Sequence, residues 1–204
     1  MLLRSRQSTD MTASFPEIRA AVLAQLPADT GLDGELVVWE HGRLAFERLQ
    51  QRLAERGRGA AEGAGRWPAH FVVFDLVHAD GADLTGWPYA RRRAALEALF
   101  TDHRVEAPLT LCPSTIDPAV ARGWLEWTAA GLEGLCFKRL DQPCIGGART
   151  WRKYKVRTTT EAVIGTVTGP AEAPRTVLLG GTTLRADFGT PGAAPRCPRG
   201  SGGR

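Results

Sequence analysis

The sequence predicts a mixed α+β or α/β domain whose sheets are mainly antiparallel. Two observations predict it. Runs rich in β-branched and aromatic residues alternate with segments of helical period. Some neighbouring strands are joined by hairpin-sized turns, while others need longer crossovers. The 204 residues, 43% of them hydrophobic, suit one ordinary domain with a real core and room for a fragment of a second.

The elements follow in order. MLLRSRQ (1–7) reads as a strand end running into a polar turn. The first helix has a start signal: Ser14 as cap, Glu17 three residues on to complete a capping box, and Pro16 in the first turn. Phe15, Ile18, Val22 and Leu26 give it one apolar face. LDGELVVWE (32–40) is a strand, and Glu40-His41-Gly42-Arg43 turns it into Leu44-Ala45-Phe46. Residues 47–56 read as helix, and GRGAAEGAGR (57–66) as a flexible loop by composition. FVVFDLV (71–77) is a nearly unbroken apolar run of strand length. A helix follows Pro88, with Arg91, Arg92 and Arg93 on its exposed side. LTLCP (109–113) is a short strand, and Asp117-Pro118 opens a helix that ends near Gly131 and places Trp124 and Trp127 in the core. GLCFKRL (134–140), WRKYKVR (151–157) and TEAVIGTVTG (160–169) supply further strands. Beyond residue 170 the periodicity fails, and TPGAAPRCPRGSGGR has almost nothing to bury, so a disordered tail is expected there.

Composition excludes some classes and leaves others open. A formal net charge of +4 and a pI near 9.2 are compatible with a phosphate-bearing partner. Cys112, Cys136, Cys144 and Cys197 include no C-x-x-C pair and no secreted disulfide framework, so free thiols in a reducing cytoplasm are expected. No apolar run approaches the ~18–20 residues that a membrane span requires. No signal peptide is apparent, and no G-x-x-x-x-G-K-[ST] loop is present.

Chemistry-bearing residues recur in a definite order. They are Arg6, Asp33 and Glu35 in D-G-E, Phe74 in an apolar strand, Glu133 and Lys138 in E-G-L-C-F-K, and Lys153 and Lys155 in K-Y-K. Taken singly each is ordinary: Phe74 reads as core, Asp33 and Glu35 as solvated strand residues, and the two lysines as an exposed face. Together they offer more. Lys153 and Lys155, two apart on a strand, aim two ammonium groups at one polyphosphate. Asp33 and Glu35, also two apart, supply carboxylates for a ribose hydroxyl or a hard cation. Glu133 suits Mg²⁺, and Phe74 offers a flat face to a purine. This set describes a nucleoside triphosphate pocket without a P-loop.

The order resembles that of the ATP-dependent DNA ligases of the covalent nucleotidyltransferase superfamily. LRSRQSTDMTASFPEI resembles the segment that follows the nucleophile hairpin, LDGELVVW the motif whose glutamate contacts ribose, and FVVFDLV the strand whose phenylalanine stacks on adenine. LEGLCFKR resembles the metal-binding motif, WRKYKVR the lysine motif that closes the adenylation domain, and EAVIGTVTG the first strand of an OB-fold. The resemblance covers roughly residues 1–180 and implies an α+β fold, a nucleotidyltransferase (ATP-grasp-like) domain. It implies an adenylation domain over 1–158, the start of an OB-fold over 159–184 and a tail over 185–204.

It further implies ATP binding by Arg6, Glu35, Phe74, Lys153 and Lys155. Glu133 and Glu35 would serve Mg²⁺, with Asp33 and Lys138 nearby. Arg149 is a minor candidate for phosphate contact. The implied substrate is nicked double-stranded DNA, sealed through an AMP intermediate: a lysine takes AMP from ATP, passes it to the 5′-phosphate, and the 3′-hydroxyl displaces it. The implied setting is DNA repair and recombination in the cytoplasm. The nucleophilic lysine of that family lies in K-x-D-G upstream of the Arg6 segment. The three lysines here, Lys138, Lys153 and Lys155, are not in such a motif, so a truncated form lacking the nucleophile is expected. Two alternatives stand beside this reading: an RNA ligase or capping-type nucleotidyltransferase, and a non-catalytic ATP- or DNA-binding remnant.

Overall fold

β1 (Gly31–Glu40) and β3 (Ala69–Ala79) pair antiparallel along nearly their whole lengths and form the spine of the fold. The structure, a computed structural model, describes residues 1–146, 148, 151–156, 163–170 and 172–180. The chain divides into two units, Met1–Val156 and Arg157–Arg204.

In the first unit the central sheet runs β2 (Arg43–Leu44), β1, β3, β4 (Ala82–Asp83), and β5 (Leu109–Leu111) joins β3 in parallel. Phe15, Ile18, Leu36, Val38, Ala69, Val73, Leu96 and Leu109 are buried in its main core. α1 (Pro16–Gln25) and α4 (Tyr89–Asp102) pack against β3. A separate antiparallel pair, β6 (Gly134–Phe137) and β7 (Arg152–Lys155), follows α5 (Pro118–Trp124) and a 3₁₀ segment, Leu125–Ala130. This mixture of helices and antiparallel-rich sheets is the expected α+β fold. In the second unit, β8 (Val163–Thr168) and β9 (Thr176–Gly180) form an antiparallel hairpin. The expected tail (185–204), the remainder of the expected 159–184 segment and Arg149 lie outside the described residues.

Several local expectations are corrected. The stretch 57–66 is a helix, α3 (Gly57–Arg66), rather than a loop. Its four glycines lower helix propensity, but Ala60 and Gly63 are buried against neighbouring elements, and packing overrides propensity. An alanine Cβ at Gly63 would fall 2.0 Å from Glu55 Oε2 and 2.9 Å from Arg52. We expect Gly63→Ala to destabilise the fold by about 1–3 kcal/mol through overpacking, despite its better helix propensity. Urea denaturation checks this, and a stabilised variant would contradict it.

The capping box does not form. Ser14 lies in a 3₁₀ turn, Thr12–Ser14, and makes no side-chain cap for α1. Glu17 instead binds the buried Arg52 of α2 (Phe46–Ala54), with Oε1 2.9 Å from Nη1, and accepts from Ala69 N. An unsatisfied buried guanidinium costs far more than an unmade helix cap. Phe46 opens α2 rather than extending β2. The N-terminal segment contributes a single bridge, Arg4 to Asp10, rather than a strand. Trp127 is 54% exposed and Trp124 is only half-buried and outside the core cluster, so the expected core position of the pair is not met. Arg92 is buried rather than on the exposed side of α4.

Candidate functional site

The register of β1 against β3 slips by one residue in the middle of the sheet. Asp33 pairs with Asp75 and Gly34 with Val73, which leaves Phe74 as the extra residue of a β-bulge. Phe74 shares the less buried face of β3 with His70 and Val72 and lines an open cleft in the first unit.

The cleft is also lined by Arg6, Asp33, Glu35, Lys138, Trp151 and Lys153. Six of the eight residues singled out from sequence therefore share one concavity. The other two, Glu133 and Lys155, lie outside that lining and pair with each other, Lys155 Nζ standing 3.7 Å from Glu133 Oε2. Both side chains are well exposed, so this pair holds neither residue firmly.

β6 and β7 explain the spacing of the E-G and K-Y-K motifs. Cys136 faces Lys153 and Gly134 faces Lys155 in the ladder, so both lysines rise from one face of the hairpin. Gly134 has a φ of +150°, and a Cβ there would stand 1.9 Å from the carbonyl oxygen of Tyr154. Glycine alone fits. Val156 N donates to Glu133 O at 2.9 Å, closing the end of the hairpin beside the glutamate.

Beneath the cleft lies a charged cluster that sequence reading missed in part. Asp75, fully buried, accepts two hydrogen bonds from Arg92, from Nε and Nη2, each 2.9 Å. These bonds hold the Arg92 guanidinium above its ordinary pKa. Arg92 also donates to the carbonyls of Trp87 and Gln142. The segment after β6 is tied to the start of α4, where Ala90 N donates to Leu140 O at 2.9 Å and Tyr89 N to Gln142 O at 3.0 Å. These carbonyls satisfy amides that a helix N-terminus leaves free. The sequence signal was available: an aspartate inside an apolar strand, and three consecutive arginines in a helix, which cannot all lie on one exposed face.

Lys138 follows β6 directly. Its side chain is only 9% exposed, and its Nζ donates to Phe74 O at 3.2 Å and stands 3.7 Å from Asp75 Oδ2. The ammonium also lies 3.8 Å from the Trp151 ring centroid and 4.6 Å from those of Phe74 and Tyr89. Burial pushes Lys138 below its usual range, with Asp75 pulling the other way. Burial likewise pushes the Asp33 carboxyl up, opposed chiefly by Lys138. Trp151, not singled out from sequence, meets Phe74 edge to face, with centroids 5.7 Å apart and planes at 84°. Among the described residues no group of three or more His, Cys, Asp or Glu side chains is gathered to hold a metal, and no helix is long and apolar enough to cross a membrane.

A bulged phenylalanine in a cleft with carboxylates on one strand and paired lysines on a hairpin belongs to a nucleotidyltransferase type of fold. Mycobacterial DNA ligase D, solved with ATP and MES, matches with a TM-score of 0.61 and 32% identity, over 88% of this chain and 55% of that one. DNA ligase C2 of Mycolicibacterium smegmatis is 39% identical over 163 residues, 79% of this chain and 46% of the relative. DNA ligase C of Mycobacterium tuberculosis is 40% identical over 139 residues, 67% of this chain and 39% of the relative. The family model for the ATP dependent DNA ligase domain matches residues 1–155, and the chain belongs to that family. It spans less than half the length of those two curated relatives.

Proposed function

We propose that this chain holds the nucleotide-binding part of an ATP-dependent DNA ligase that seals nicks in double-stranded DNA through an AMP intermediate, in cytoplasmic DNA repair and recombination. The observation that carries the reading is that Phe74, at the β3 bulge, lines a cleft shared with Arg6, Glu35 and Lys153. Adenine stacks on Phe74, and the Glu35 carboxylate accepts from ribose. Lys153 and Lys155, on one face of β6–β7, neutralise the triphosphate as point charges, and Arg6, also in the cleft lining, reaches nucleotide or DNA phosphate.

The implied carboxylates suit Mg²⁺ by type, as hard oxygen donors. That ion usually takes one or two carboxylates and completes its shell with water and phosphate oxygens. The exposed Glu133, beside the lysine hairpin, is such a carboxylate, and Glu35 is a second. Bound there, Mg²⁺ supplies charge stabilisation at the phosphates. The protein's own residues orient the base, hold the ribose and spread the phosphate charge.

Fluorescence anisotropy with a 5′-phosphorylated nicked duplex and the matched intact duplex tests the DNA side of the reading. Preference for the nick is expected. Equal affinities, falling together with salt, would reduce the interaction to general phosphate attraction and reject nick recognition.

A further inference from the structure

Phe74 is the extra residue of the β3 bulge and stands outside the β1–β3 pairing. Its carbonyl is instead met by the Lys138 ammonium at 3.2 Å. The same ammonium lies over the rings of Phe74, Tyr89 and Trp151 and faces Asp75 at 3.7 Å. It thus touches both the backbone and the ring of the bulge residue that lines the cleft. The remaining partners anchor it from independent directions: Tyr89 from the first turn of α4, Trp151 from the residue before β7, and Asp75, itself clamped by Arg92.

We propose that Lys138 is a positioning residue for the base-binding surface: it locks the bulge so that Phe74 and Trp151 keep their edge-to-face arrangement. It therefore acts on the purine through Phe74 and does not bind the phosphates. This inference rests on the nucleotide-site reading given above. Two physical features support it. The side chain is 9% exposed and its ammonium is surrounded by aromatic rings, where a cation–π contact is worth more than at an exposed site. A hydrogen bond from a charged donor to a partly buried carbonyl is stronger than a neutral one. Lys153, by contrast, is exposed on the hairpin face and suited to a solvated polyphosphate.

The test separates base from phosphate. Affinities of the full chain for adenosine and for inorganic tripolyphosphate are measured by calorimetry for the wild type, Lys138→Met and Lys138→Arg. A positioning role predicts that Lys138→Met loses adenosine affinity by about tenfold, the size set by one charged hydrogen bond and its cation–π contacts. Tripolyphosphate affinity should stay within about twofold, and Lys138→Arg, which keeps charge and donors, should restore most of the adenosine affinity. Should Lys138→Met fail to fold, Lys138→Gln carries the same comparison, because it keeps a donor without the charge. A fall in tripolyphosphate affinity in either neutral variant would make Lys138 a phosphate contact and overturn the proposal. Unchanged adenosine affinity would overturn it while leaving the site reading intact. A wild-type protein that binds neither probe would overturn the site reading and this inference with it.

Discussion

Replacing Arg92 with alanine is expected to cost about 3–5 kcal/mol of stability, because it strands the fully buried Asp75 carboxylate without its bidentate partner. The same change removes the donors to Trp87 O and Gln142 O, which help hold the segment after β6 against α4. For a unit of this size the melting midpoint should fall by roughly 10 °C or more. Asp75→Ala should cost a similar amount. The double variant should cost clearly less than the sum, since the two residues form one interaction. Arg58→Ala is the natural control: Arg58 is 93% exposed and makes a single helical pair with Glu62, so its loss should stay within about 0.5 kcal/mol. Chemical denaturation of the four variants checks the set. A loss at Arg92 no larger than at Arg58 would show that the buried pair contributes nothing to this fold.

Gly134→Ala is expected to weaken triphosphate binding by tenfold or more. The added Cβ would stand 1.9 Å from the Tyr154 carbonyl oxygen, on the backbone of the facing strand, where no rotamer relieves it. The φ of +150° adds strain for any residue with a Cβ, of order 1–3 kcal/mol. β6 and β7 must separate or shift register, and a one-residue slip sends Lys153 and Lys155 to the opposite face. Adenosine affinity should fall less than tripolyphosphate affinity, because Phe74 belongs to the central sheet. Equal affinities for tripolyphosphate in wild type and variant would remove the hairpin from the phosphate site.

The strands that carry the site were legible because apolar runs of strand length are a strong local signal, as in residues 32–40 and 71–77. The pairing of Lys153 and Lys155 on one face followed from the two-residue period alone. What stayed hidden was long-range. No local pattern shows that Phe74 sits at a bulge, since the extra residue is defined only by the partner strand. Glu17 looked like a helix cap because the capping box is a local pattern, yet its partner is 35 residues away at Arg52. Arg92 looked like one of three solvated arginines, yet it reaches Asp75 across 17 residues. The glycines of α3 read as loop because propensity ignores the buried contact at Gly63. Trp151 gave no sign of meeting Phe74, which lies 77 positions earlier in the chain.

The most direct measurement is calorimetric titration of ATP with Mg²⁺ into the wild-type protein and Phe74→Ala, with melting curves alongside. Phe74 stands outside the main core cluster, so truncation should leave the melting midpoint within a few degrees. Base stacking on an aromatic ring is worth about 1–3 kcal/mol, so the variant should bind ATP about ten- to a hundredfold more weakly. A stable Phe74→Ala protein that binds ATP as the wild type does would place the adenine elsewhere and contradict the site described here, as would a folded wild-type protein with no affinity for ATP.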